Sequence, residues 1–231
     1  MKILIFVTVW KRPEVTDLTY SGLDRIQSIF KEEGIDSEVL IVSSEDYHTE
    51  KAKNRGYHVV EVENFPIGTK MNKGIEHALT LNWDCMMRMD SNNLLSNLYI
   101  RNFIAAYKEG FKVFGASRFF AIQPDNIHCR IFDMKLGFGP VGMGVRREVI
   151  EDVPQWFDLD INYKLDASFW TRVVAPYQKK DSSSILTIVS KAFPAVMDIK
   201  TGEDLNEHKG KKKGGKDWYI RWWPELKNWI D

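Results

Sequence analysis

The sequence predicts an α/β fold built on a mostly parallel central sheet flanked by helices, and three observations carry that expectation. Ile3–Val9 (ILIFVTV) is a continuous apolar run, the pattern of a strand covered on both faces. Strand-like and helix-like segments then alternate as far as Asp90, the order of a doubly wound sheet. Finally, the stretch Pro66–Asn93 joins an amphipathic helix to a buried strand that stops in the turn formers Asp90-Ser91-Asn92-Asn93. Ligands in open α/β sheets sit beyond the carboxyl ends of the strands, so Asp90 falls where chemistry is expected.

Taken in order, Arg12-Pro13 ends the first strand, with proline suited to a helix's first turn. Val15, Leu18, Gly22, Leu23, Ile26, Ile29 and Phe30 form one helical stripe up to Gly34, a C-terminal stop. Residues 37–42 and 59–62 read as the second and third strands, with a polar loop at 43–48 and a short helix before Gly56 between them. Thr69 is placed to cap the next helix, whose apolar face is Met71, Ile75, Ala78 and Leu79. Residues 85–89 (CMMRM) give the strand that leads to Asp90. Beyond it, residues 98–110 predict a helix and 112–116 a strand running on toward 119–122, whereas 124–139 has no clear period. A short strand meets a helix near Arg146, residues 165–174 are helical, and 185–189 and 195–199 are strands. With no internal repeat or boundary, the expectation is one domain over 1–231, a ligand half in 1–93 and an acceptor half in 94–231.

The chain has 231 residues, 44% hydrophobic and 28% charged, the profile of an ordinary globular protein. Lysine plus arginine, 32, equals aspartate plus glutamate, 32, so overall charge makes no case for nucleic acid or an anionic membrane. Cys85 and Cys129 form no metal-ligand spacing and read as buried free thiols of a reducing compartment. The apolar N-terminal run is too short to span a bilayer, so no integral membrane contact and a cytoplasmic location are expected.

Lys70-x-Asn72-x-Gly74, followed by an apolar strand ending in Asp90-Ser91-Asn92, resembles the nucleotide-sugar glycosyltransferases of the GT-A fold, particularly family 2. That resemblance implies a Rossmann-like central sheet with a smaller acceptor-side sheet. It also implies transfer of a sugar, with inversion, from a nucleotide-diphosphate donor (a UDP-sugar favoured) to a hydroxyl acceptor. The family's DXD motif would put a second carboxylate at position 92, where this chain has asparagine. By the resemblance, Asp90, Asn92 and His208 would hold Mn²⁺ or Mg²⁺, which stabilises the charge of the departing diphosphate. His208 comes from a lysine- and glycine-rich loop, as a C-terminal metal-ligating histidine does in many GT-A enzymes. Asp166, followed by Arg172, stands where the family carries its catalytic base, without the usual preceding glutamate; Asp158 and Asp160 are the reserves. Thr8, Trp10 and Arg12 follow the first strand, where the family cradles the base, and Ser91 lies beside the diphosphate. Trp10 either stacks on the base or packs on the sheet. Lys70 and Asn72 would bind the nucleotide, the alternative for Lys70 being a place on the helix surface.

Gly137–Gly142 satisfies GxGxxG but lies mid-chain and contains proline, unlike a dinucleotide fingerprint. No glycine-rich, arginine-containing loop follows the first strand, which argues against a nucleotidyltransferase. The tail couples Lys209, Lys211, Lys212, Lys213 and Lys216 to Trp218, Tyr219, Trp222, Trp223 and Trp229. Such a tail either packs its aromatics on the domain or grips nucleic acid, so the acceptor is a saccharide or, alternatively, a hydroxymethylated base in DNA. A catalytically inactive nucleotide-sugar-binding module is the third possibility, motivated by Asn92 and the missing glutamate.

Overall fold

The computed structural model describes residues 1–123, 128–133, 139, 141–153, 155–188, 195–199 and 216–228. It opens with β1 (Lys2–Thr8), α1 (Pro13–Glu32), β2 (Asp36–Ser43), α2 (Asp46–Asn54), β3 (His58–Glu61), α3 (Ile67–Thr80) and β4 (Cys85–Asp90). The second half adds β5 (Asn93–Leu95), α4 (Asn97–Lys108), β6 (Val113–Ala116), β7 (Arg118–Gln123), β8 (His128–Asp133), β9 (Met143–Arg146) and α5 (Arg147–Glu151). After these come α6 (Leu165–Phe169), a π-helical turn at Trp170–Val174, α7 (Ala175–Lys180), β10 (Ile185–Ile188), β11 (Val196–Ile199) and α8 (Lys216–Trp222).

Seven strands form the larger sheet in the order β10-β6-β9-β4-β1-β2-β3. It is parallel except for β9, which runs antiparallel to both of its neighbours. The smaller sheet has the order β5-β11-β7-β8. The larger sheet draws β6, β9 and β10 from beyond residue 93, so it does not end with the ligand half.

The continuous apolar run of β1 has the reason expected for it. Ile3, Ile5 and Val7 enter the core beneath α1 and α4, while Leu4 and Phe6 enter the core beneath α3 and α6. Gly74 lets α3 lie close to that second face: a Cβ there would stand 2.6 Å from Val42 Cγ2 and 2.9 Å from Phe6 Cζ. A third apolar cluster joins the smaller sheet to the C-terminal segment through Phe120, Ile122, Met197, Tyr219, Trp223 and Leu226. Tyr219 and Trp223 are therefore core residues, as the packed alternative for the tail requires.

Several expectations are corrected. Thr69 does not cap α3; the helix begins at Ile67 after Pro66, and the Thr69 hydroxyl donates to Leu159 O at 3.0 Å. The stretch 43–48 is not all loop, because α2 starts at Asp46. Within the aperiodic 124–139 lies β8, which pairs antiparallel with β7. The turn after β4 is only two residues long, since Asn93 already belongs to β5. Cys85 is a buried free thiol whose pKa burial pushes up. Among the described residues no helix is long and apolar enough to cross a membrane.

Candidate active site

Parallel pairing sets Thr8 opposite Asp90, so the tips of β1 and β4 end side by side. The Thr8 hydroxyl donates to Asp90 Oδ1 at 3.4 Å. Above these tips opens a cavity of about 350 Å³, lined by Thr8, Trp10, Arg12, Lys70, Asp90, Ser91, Asn92 and Asp166, eight of the residues the sequence singled out. Asn64, Arg88 and Lys164 line it as well. Its charged lining is Arg12, Lys70, Arg88 and Lys164 against Asp90 and Asp166, an excess of positive charge suited to a polyanion.

The β1–α1 loop reaches this cavity through two left-handed residues, Lys11 (φ 52°) and Arg12 (φ 50°). Non-glycine residues in that region cost on the order of 1 kcal/mol each, so the surroundings must enforce them. Lys11 N donates to Glu45 Oε2 at 2.6 Å, and His48 Nε2 donates to Lys11 O at 3.0 Å. Burial lowers the pKa of His48, so the ring stays neutral and keeps the donor role. Trp10 meets Phe65 edge to face at 5.4 Å.

Lys70 is 2% exposed rather than a surface lysine. Its ammonium donates to Val9 O (2.7 Å), Asn64 Oδ1 (3.0 Å) and Ser44 Oγ (3.2 Å), tying three segments together below the cavity. Burial pulls its pKa down to about 8, with the Glu45 carboxylate working the other way. An ammonium has no lone pair, so Asn64 must turn its oxygen to Lys70 and its Nδ2 elsewhere. That Nδ2 is buried and has no partner.

Asn72 is not brought to the cavity. Its Oδ1 accepts from Trp156 N (3.2 Å) and Phe157 N (3.0 Å), and its Nδ2 donates to Phe157 O (2.8 Å). The amide instead clamps 156–157 onto α3, with both lone pairs of Oδ1 and one proton of Nδ2 engaged. The clamp continues at Asp158, which accepts from Ser168 Oγ (2.8 Å) and Arg172 Nε (2.6 Å). Those bonds fix α6, and with it Asp166 in its first turn. Asp158, its pKa lowered by Arg172 and then Ser168, is committed as an anchor and leaves the reserve bases.

Arg88 is the main residue that sequence reading missed. It is 4% exposed and lies two positions before Asp90 on β4, hence on the same face of the strand. Its Nη2 stands 3.4 Å from Asp166 Oδ1 and 3.8 Å from Asp90 Oδ1, between the two carboxylates. The spacing of two was the available signal, hidden because an arginine inside CMMRM reads as a break in an apolar run.

Asn92 donates Nδ2 to Asp198 Oδ1 (2.5 Å) and to Ile199 O (3.1 Å). Both amide protons are used, so Oδ1 faces the other way and accepts from Asn93 Nδ2 at 3.3 Å. Asp90 N donates to Asn93 Oδ1 at 2.8 Å, which closes the turn. The Ser91 carbonyl accepts from Thr19 Oγ1 at 2.8 Å. The Asp90 carboxylate is a hard oxygen ligand of the kind that magnesium or manganese takes together with waters and phosphate oxygens. Among the described residues no group of three or more His, Cys, Asp or Glu is arranged for a metal. His208 lies outside the described residues.

The mostly parallel sheet with one reversed strand, a second small sheet, and a carboxylate turn after β4 make this a GT-A-type fold. The crystal structure of S. aureus TarS 1-349 matches it with a TM-score of 0.57 at 11% identity, over 86% of this chain and 60% of that one. The complex of TarS 1-349 with UDP gives 0.60 at 12% identity, over 87% and 61%. The complex with UDP-GlcNAc gives 0.57 at 14%, over 95% and 64%. The chain therefore spans under two thirds of those TarS chains. No protein-family model matches the sequence, and no curated protein does.

Proposed function

We propose that this protein is a nucleotide-sugar glycosyltransferase that moves a sugar from a UDP-sugar to a hydroxyl of a saccharide acceptor, with inversion. The observation that carries this is the cavity over the tips of β1 and β4, where Asp90 and Asp166 flank Arg88 among further cations. A diphosphate matches that excess of positive charge. TarS is crystallised with UDP and with UDP-GlcNAc on the same fold, which supports the donor class.

Asp90, with Asn92 Oδ1, would hold Mn²⁺ or Mg²⁺, which when bound stabilises the negative charge of the departing diphosphate. Asp166 takes the proton of the acceptor hydroxyl, whose oxygen attacks the anomeric carbon. The carbon–oxygen bond to the phosphate breaks, UDP leaves with the electron pair, and direct displacement inverts the anomeric centre. Arg12 and Lys164 add positive charge around the leaving group.

Thermal unfolding in the presence of UDP, CDP, GDP, ADP and common UDP-sugars, with and without Mn²⁺, tests the proposal. UDP at about 100 times its Kd should raise the midpoint by about 5 °C or more, and Mn²⁺ should enlarge the shift. No shift with any nucleotide or nucleotide-sugar overturns it.

A further inference from the structure

We propose that Arg88 changes partners when the donor binds: its guanidinium leaves Asp166 for the diphosphate, and Asp166 is released to act as base. This rests on the nucleotide-sugar function proposed above and adds a coupling between donor binding and the base.

The observation is how poorly the buried guanidinium is satisfied. Charge-assisted bonds of arginine to carboxylate are commonly about 2.7–2.9 Å and often paired. Arg88 instead reaches one oxygen of Asp166 with both terminal nitrogens at 3.5 and 3.4 Å, and stands 3.8 Å from Asp90. Around it lie the rings of Phe157 (5.5 Å) and Phe169 (6.0 Å), and among the described residues the buried Nε has no hydrogen-bond partner. Other arginines of the fold are served better. Arg147 donates to Glu151 Oε1, Leu81 O and Leu79 O at 2.6, 2.6 and 2.7 Å, and Arg146 donates to Phe111 O and Tyr107 O at 2.9 and 2.6 Å. Arg88 differs in lining the cavity, where an added anion can complete its bonding.

Asp166 is the partner able to give way. Its side chain is 57% exposed, so water takes over its solvation once the guanidinium turns. A guanidinium beside a carboxylate makes it a weaker base, so the loss of Arg88 as a neighbour strengthens Asp166 as a base. The proton acceptor is thus armed by the donor, and transfer follows an order with donor first.

Calorimetric titration of UDP into the parent, D166N, R88Q and the double variant reads the exchange. Removing its competitor, D166N should bind UDP about tenfold more tightly, and R88Q about tenfold more weakly. In the R88Q background the D166N substitution should give no tightening, because the competition is gone. Equal tightening in both backgrounds means only a general charge effect and overturns the exchange, as does unchanged affinity in D166N. Should R88Q not unfold cooperatively, R88M, which removes the charge and keeps an apolar stem beside Phe157 and Phe169, carries the same cycle with the same criteria. Failure of the parent to bind UDP at all overturns the proposed function instead.

Discussion

Asn92 and Asp198 meet across the join between the β4–β5 turn and the smaller sheet, with Nδ2 of the amide 2.5 Å from Oδ1 of the acid. Both are buried or nearly so, at 7% and 9% exposure. The acid that a DXD motif would carry at position 92 therefore has its counterpart on β11, and the amide is its required complement. Asn92→Asp would set two carboxylates against each other and should cost about 2–4 kcal/mol of stability. Adding Asp198→Asn exchanges acid and amide across the same hydrogen bond and should restore part of the loss, the bond to Ile199 O staying lost. Urea unfolding of the single and double variants checks this, and no recovery in the double variant would contradict the pairing.

Asn72 is architectural in this structure, although the family resemblance assigns it to the nucleotide. Asn72→Ala should lower stability by about 2–4 kcal/mol, since it leaves Trp156 N and Phe157 N without their partner. UDP affinity of the folded fraction should stay within about threefold of the parent, because energetic coupling fades between groups that share no contact. A large loss of UDP binding with unchanged stability would return Asn72 to the nucleotide site.

Gly68 and Gly74 are predicted to resist any side chain. A Cβ on Gly68 would lie 1.9 Å from Asp158 O, and one on Gly74 2.6 Å from Val42 Cγ2. Gly74→Ala should destabilise by about 1–3 kcal/mol through overpacking. Gly68→Ala must displace the 158–162 loop, so transfer should fall more than stability does. Melting curves and initial rates measured together distinguish the two effects.

Burial of Lys70 gives a pH dependence whose sign follows from its lowered pKa. The unfolded chain keeps this ammonium protonated up to about 10.5, the folded chain only to about 8. Between these values the unfolded state binds the extra proton, so this group's contribution makes stability rise with pH. The contribution is complete above the unfolded value and lost as pH falls through about 8. The difference in unfolding free energy between parent and Lys70→Met should therefore change across pH 8–10.5 in favour of the parent. A difference that stays flat over that window contradicts a buried, desolvated ammonium.

What the sequence disclosed is what local pattern encodes. β1 to β4 are legible because strands buried on both faces leave unbroken apolar runs. The face of α3 is legible from the spacing of Met71, Ile75 and Ala78. Asp90 is legible from its place at a strand tip, but its role and that of Asp166 are legible only with a family resemblance, since an acidic turn or an acidic first helical turn is common by itself. β5 and β8 escaped because their evidence is the partner: three residues of β5 pair with β11, more than a hundred positions away in sequence. Arg88 and Asp198 escaped for the same reason, each owing its role to a contact made across the chain.

The decisive measurement is a crystal structure of the protein grown with UDP and Mn²⁺. The diphosphate should accept from Arg88, with the metal on Asp90 and the nucleotide in the cavity over the tips of β1 and β4. UDP bound elsewhere, or a cavity over β1 and β4 that stays free of nucleotide at saturating UDP, would contradict the proposed glycosyltransferase site.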